Sequence, residues 1–142
     1  MNPDGKEFSS FLQTWEEAQE AFVNGDPSIW KANASHETDA TIFGGFGGFE
    51  KGWDEVGSRY DWAASQFQPS GATKAVAYLS KGESGDLAFA VSIERSQVRT
   101  GAGAEVRDLA LRVTQIFRRE NGSWKLLHRH ADPMVETKLP DS

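Results

Sequence analysis

Arg112-Val-Thr-Gln-Ile-Phe-Arg-Arg-Glu-Asn-Gly-Ser-Trp-Lys-Leu-Leu-His-Arg-His-Ala-Asp132 reads as two strands joined at Asn121-Gly122. An Asn-Gly pair between two alternating runs is a strong hairpin signal, because both turn residues take positive φ and these residue types tolerate it best. With that turn, Glu120 faces Ser123, and a regular ladder pairs Ile116 with Leu127, Thr114 with Arg129 and Arg112 with Ala131. Arg112, Thr114 and Arg129 then share one face. Val113, Gln115, Phe117, Trp124, Leu126, His128 and His130 take the other, and a one-residue slip would mispair the two sets.

Working outward, the chain before the hairpin is also strand-rich: about Thr73–Ser80, a turn over Lys81–Asp86, Leu87–Arg99, a Gly101-Ala-Gly103 turn, and Val106–Arg119. Helical spacing dominates earlier. Phe8, Phe11, Leu12, Trp15, Ala18 and Phe22 form one apolar stripe, with Glu16, Glu17, Gln19 and Glu20 opposite, so Glu7 to Asn24 is an amphipathic helix. Asp4 and Glu7 resemble a capping box and Asn24-Gly25 a stop. Asp26-Pro27 opens a short second helix to about Ala34. Asp39–Phe43 is a short strand, Gly44–Gly52 a glycine-rich loop, and Trp53, Val56, Tyr60, Ala63, Ala64 and Phe67 mark a third helix ending before Pro69. Helices first and a four-strand meander last make the class α+β.

The chain has 142 residues, 38% of them hydrophobic, with five Trp and nine Phe. At this length roughly 68–70% of the extended surface can be buried, enough for one real core. The net charge of −6 has the wrong sign for tracking phosphates, so nucleic acid is excluded as a partner. The absence of cysteine removes disulfides, thiolate nucleophiles and Cys-ligated zinc, and fits a reducing compartment. No apolar leader opens the sequence and no stretch is long enough to cross a bilayer, so a cytoplasmic protein without membrane association is expected.

The first helix ending Asn24-Gly25-Asp26, the glycine-rich turn into Gly52-Trp53, and Leu111-Arg-Val-Thr114 leading through Arg-Arg-Glu-Asn-Gly-Ser-Trp124 to His128-Arg-His-Ala-Asp132 resemble the nuclear-transport-factor-2-like superfamily, in particular its SnoaL-like branch. The resemblance implies a cone-like, strongly curved mixed sheet wrapped around three N-terminal helices. It covers a single domain, 1–142, with an ordered core over about 5–134 and a tail over 135–142. It is weak for function, because that superfamily hosts isomerases, cyclases, dehydratases and non-catalytic binding and assembly modules. Against the ketosteroid-isomerase pattern, the matching positions are Ala18, Thr114, and Phe43 or Gly44, and none retains the needed group; Tyr60 matches a tyrosine of that pocket's hydrogen-bond network. The chain's end is also similar to the association domain of calcium/calmodulin-dependent kinase II, whose pocket arginines fall at Thr114 and Ala131 here. Arg112 and Arg129 lie one cross-strand step away, which implies a cone with a cationic wall or mouth.

On the residues themselves, Arg112, Thr114 and Arg129 would hold a carboxylate or other small anion through forked, charge-assisted bonds. Trp15, Phe43, Tyr60 or Trp62 would supply the apolar wall. The competing reading is that each arginine pairs with a buried carboxylate such as Asp39, Asp108 or Glu94. Tyr60, Asp39 and His130 are the candidate acids or bases if the cone is instead the site of a cofactor-independent lyase, isomerase or cyclase. His128, His130 and Asp132 share a strand face, but neighbouring Arg118, Arg119 and Arg129 disfavour a cation, so no metal is expected and the histidines go to a subunit interface. His36 suits the carbonyl end of the second helix. Gly44–Gly52 lacks the Gly-Lys-Ser/Thr of a phosphate loop and reads as a flap carrying Phe46 and Phe49. No cofactor is called for. The non-arginine face of the hairpin, with Leu109, Leu111, Val113, Phe117, Trp124 and Leu126, is expected on the convex side of the sheet, where it would bury itself against a second copy in a homodimer. A purely structural dimer module is the third alternative.

Overall fold

Phe8, Phe11, Leu12, Trp15, Ala18 and Phe22 recur every three or four residues and are all buried, on the inner face of α1 (Phe8–Phe22). Gln19, expected on the polar side, is buried with them. Glu7 precedes the helix without a side-chain cap bond, and Asp4 lies outside the residues described by this computed structural model, which are 7–101, 105–138 and 140. Gly25 follows α1 at φ +94, where a Cβ would meet Phe67 O at 2.8 Å, so only glycine fits. Asp26 Oδ1 accepts from Ser28 N at 2.9 Å and opens α2 (Ser28–Ala32). This helix ends before Ala34 because the chain turns into the sheet: Leu126 N donates to Asn33 O at 2.9 Å, and Ser35 N to Leu126 O at 2.8 Å. His36 Nε2 meets Lys31 O at 2.8 Å, at the carbonyl end of α2.

Next come β1 (Thr41–Phe43), β2 (Glu50–Lys51), α3 (Trp53–Ser65), β3 (Lys74–Ser84), β4 (Leu87–Arg99), β5 (Val106–Glu120) and β6 (Ser123–Pro133). They build one sheet in the order β2-β1-β6-β5-β4-β3, antiparallel except where β1 runs parallel to β6. The sheet is mixed and unclosed, and it curves around the three helices as an α+β cone. Two-residue β2 sits inside the glycine-rich stretch and is too short to leave a periodic signal. β3 runs past Ser80 to Ser84 through a register shift at Leu79, which narrows the expected turn to Gly85-Asp86. The turn expected at Gly101-Ala-Gly103 falls largely outside the described residues.

The hairpin turn stands as expected: Asn121 has φ 51, Gly122 φ 80, and Glu120 pairs with Ser123. The register beyond it does not. Phe117 pairs with Leu126 but Ile116 pairs with His128, so Leu127 is an extra, unopposed residue, and the partners become Gln115↔Arg129, Thr114↔His130 and Arg112↔Asp132. This β-bulge exchanges the faces of every later β6 residue. It lies where the neighbour of β6 changes from Ala34, bridged to Leu126, to β1, whose Thr41 pairs with His128.

The expected assignment of faces is reversed on β5 and at the start of β6, and the bulge then leaves Arg129 alone of the expected trio inside. Phe117, Trp124 and Leu126 are buried with the helices, Leu111 and Val113 are buried in a smaller cluster with Ala131, half-buried Leu109 packs against both, and none of them forms the convex surface. Arg129 joins them in the interior, whereas Arg112 and Thr114 point outward. The convex side instead exposes Leu79, Leu87, Phe89 and Ile116.

Candidate functional site

Inward-facing positions of β4 carry Ala88, Ala90, Ser92, Glu94, Ser96 and Val98, all buried. Glu94 is the one charge among them, and three elements supply its partners. From β6, Arg129 donates through Nη2 to Oε1 at 2.7 Å and through Nη1 to Oε2 at 3.0 Å. From the start of β3, Lys74 Nζ lies 2.6 Å from Oε1. From α1, the Gln19 amide, with its nitrogen turned toward the carboxylate, donates to Oε2 at 3.2 Å. Four donors thus fill the four lone-pair sites of the carboxylate. Arg129 Nη1 also donates to Gln115 Oε1 at 2.9 Å, which Trp15 Nε1 reaches at 2.9 Å, and the guanidinium lies over the Trp30 ring at 5.0 Å.

The electrostatics follow from this crowding. Burial alone would raise the Glu94 carboxyl, but Arg129 and Lys74 outweigh it and hold the pKa at about 2. Burial lowers the Lys74 ammonium below its ordinary value; Glu94 opposes that shift and Arg129 adds to it. Two cations face one carboxylate, so the cluster carries one positive charge in excess.

Arg129 and Lys74 form part of the wall of a cavity of about 490 Å³. The rest is largely apolar: Phe22, Trp30, Ile42, Tyr60, Phe67 and Leu111 line it, with Gly44, Gly45 and Phe46 of the expected flap along one edge. Burial raises the Tyr60 phenol well above its usual range, against the opposing effect of the Trp30 indole N–H, which faces the hydroxyl without closing a hydrogen bond. Arg107 and Asp108 line the cavity from β5 and Arg59 from α3.

The expected site residues separate. Tyr60 and Arg129 come together at the cavity, the latter through the buried-carboxylate pairing with Glu94 that competed with a ligand role. Arg112 sits on the convex face, 3.6 Å from Asp132, and Thr114 beside it. Trp15 is fully buried behind the cavity wall, bonded to Gln115. Phe43 is exposed and packs its ring edge-on against His128 and His130 at 5.0 and 5.2 Å. Trp62 lies on the outside of α3, covered by Arg59 at 4.2 Å and Phe46 at 5.1 Å. Asp39 is gripped by Arg118 at 2.7 and 2.9 Å, and His130 is paired with Asp132 at 3.2 Å; neither lines the cavity. His128 Nδ1 meets Thr41 Oγ1 at 2.8 Å, and among the described residues no three His, Asp or Glu side chains converge on a metal position. Lys74 and Gln115 had not been singled out. The available signal was parity: Glu94 interrupts an inward row of small residues on β4, and a charge there requires partners.

An open, curved sheet closed by three helices around a largely apolar cavity is the cone architecture of the nuclear-transport-factor-2-like class. Within that class, residues 12–136 match the model of the SnoaL-like domain, and the chain belongs to that family. Solved structures agree on the fold. A nuclear transport factor 2 (NTF2-like) superfamily protein from Salmonella enterica serovar Typhimurium superposes with a TM-score of 0.75 at 16% identity, over 96% of this chain and 99% of that one. A ketosteroid isomerase-like protein from Erwinia carotovora atroseptica gives 0.73 at 18%, over 90% and 94%. An NTF2-like protein of unknown function from Pseudomonas putida gives 0.71 at 19%, over 92% and 86%. No curated protein matches the chain. No helix among the described residues is long and apolar enough to cross a membrane.

Proposed function

We propose that the protein binds a small organic anion with an apolar body, held by its acid group at the Lys74–Arg129 wall of the cone. The observation that carries this reading is the charge count: two buried cations face the cavity and one carboxylate answers them. An arriving carboxylate would neutralise the excess in a place where water screens poorly, while Phe22, Trp30, Ile42 and Leu111 accept the apolar part. The cysteine-free composition suits the reducing interior of a cell. A thermal-shift screen of aromatic and aliphatic carboxylates tests the reading: hits should lose their effect in Lys74→Met, and no hit with the wild type would refute it.

A second reading, acid catalysis in the same cone, is favoured by Tyr60, the only one of the three candidate acids and bases that borders the cavity. Its raised pKa suits a proton donor rather than a base. For the convex face, the exposed Leu79, Leu87, Phe89 and Ile116 support a second copy of the chain as its cover, with self-complementary packing across a two-fold axis.

A further inference from the structure

Glu94 has no lone pair left for Lys74 beyond the single contact at 2.6 Å. An ammonium has three donors, so two N–H bonds of Lys74 have no protein acceptor among the described residues, and the group borders the cavity. Arg129 differs: both hydrogens of Nη1 and one of Nη2 are already engaged, leaving the other Nη2 hydrogen and Nε–H. Lys74 Nζ and Arg129 Nη2 rest on the same oxygen, Glu94 Oε1, at 2.6 and 2.7 Å, and are therefore near neighbours. Beside Lys74 on the sheet, its cross-strand partner Ser96 carries a buried hydroxyl with no partner.

We propose that Lys74 is an imine-forming amine and that the cavity takes a 2-oxo acid with an apolar side chain. The inference rests on the anion-binding reading of the cavity and names its ligand class. In a 2-oxo acid the carboxylate is attached directly to the carbonyl carbon, matching an amine and a guanidinium that share one oxygen. The carboxylate meets the spare N–H bonds of Arg129, the carbonyl carbon meets Lys74, and the apolar tail runs along Trp30 and Leu111.

The reaction balances without any co-reactant. The ammonium releases a proton; its nitrogen pair attacks the carbonyl carbon, forming the C–N bond as the C=O π pair moves to oxygen. That oxygen takes up protons and leaves as water while the nitrogen pair closes the C=N bond. The product iminium carries one positive charge, as the ammonium did, so Glu94 keeps its counter-charge and no buried ion is stranded. A lysine in an apolar pocket beside a second cation is the environment in which such amines become nucleophilic.

The test treats the whole chain at neutral pH with 2-oxo-4-phenylbutyrate and borohydride, which reduces an iminium to a stable secondary amine, and maps the adduct by peptide mass spectrometry. Lys74 should be labelled several-fold more than exposed Lys51, Lys81 or Lys138, because the amine beside a second cation in an apolar wall is the one disposed to lose its proton and attack. The adduct should vanish in Lys74→Arg, and if that variant does not fold, the map of the wild-type chain decides alone. Labelling spread over the surface lysines with Lys74 untouched would overturn the proposal. The carbonyl-free analogue 2-hydroxy-4-phenylbutyrate separates the two levels. If it binds while Lys74 stays unlabelled, the amine chemistry fails and the anion site stands; if Lys74 is labelled but the analogue neither binds nor protects it, the anion reading fails.

Discussion

Arg129 holds Glu94 with two guanidinium nitrogens, at 2.7 and 3.0 Å, in the interior of the cone, and Lys74 shares one of the same carboxylate oxygens. The carboxylate is therefore the hinge of the site's electrostatics: removing it leaves two buried cations facing each other.

Glu94→Gln should lower stability at pH 7 by about 3–5 kcal/mol, the usual effect of breaking a buried pair from one side. The pH profile should show the same group. Its carboxyl lies at about 2 when folded against 4.5 ordinarily, so its contribution is complete above about 4.5 and is lost as pH falls from there toward 2. Urea denaturation of both proteins across that window should show the variant falling less steeply than the wild type.

Lys74 works in the opposite sense. Its folded pKa is below the ordinary 10.5, so the unfolded chain holds the proton more tightly and stability rises as pH climbs through the folded value toward 10.5. Lys74→Met should abolish that rise, measured by the difference in melting temperature between neutral and alkaline buffer.

Deleting Leu127 should be far more damaging than replacing it. Leu127→Ala removes part of a half-buried side chain and should cost about 1 kcal/mol or less. Deletion restores a regular ladder, turning Arg129 outward and His128 and His130 inward. The deletion variant should lose its cooperative thermal transition, and a sharp transition at the wild-type temperature would contradict the bulge.

Tyr60→Phe separates binding from proton donation. If the cone only binds, a carboxylate hit should weaken by a factor set by one neutral hydrogen bond, about 0.5–1.5 kcal/mol. Under acid catalysis, turnover would disappear while affinity changed by no more than this. Titration calorimetry with the same hit in both proteins gives the affinity ratio.

Leu79→Lys combined with Phe89→Lys places two charges on the convex face, where both native side chains are exposed. Sedimentation velocity should show two copies for the wild type and one for the variant. A monomeric wild type would remove the self-association proposal without touching the cavity.

How far the sequence could be read is visible in the hairpin. Asn121-Gly122 announced its turn correctly because the signal is local and conformational: both residues have positive φ. The α1 stripe was legible for the same reason, a period that one segment carries by itself. Leu127 was not legible, because the extra residue is fixed by neighbours distant in sequence, Ala34 on one side of it and Thr41 on the other. That one residue parted Arg129 from Arg112 and Thr114; on β5 the faces are reversed for a separate reason, because its apolar row, Leu111, Val113 and Phe117, is the one that is buried. Lys74 stayed hidden because its inward direction depends on pairing with Ser96, a relation that nothing local to residue 74 encodes.

The approach to β3 is set by a single amide just beyond the end of α1. Asn24 Nδ2 donates to Ala72 O at 2.9 Å, and its Oδ1 accepts from Ala72 N at 2.9 Å and Ser70 N at 3.1 Å, while Glu20 Oε2 accepts from Lys74 N at 3.1 Å. β3 is the outermost strand and has a neighbour on one side only, so these bonds act as a clasp sewn across a free hem. Unfastening it would let the amine drift from its carboxylate while every residue bordering the hollow kept its identity, and a screen confined to the lining would miss the culprit.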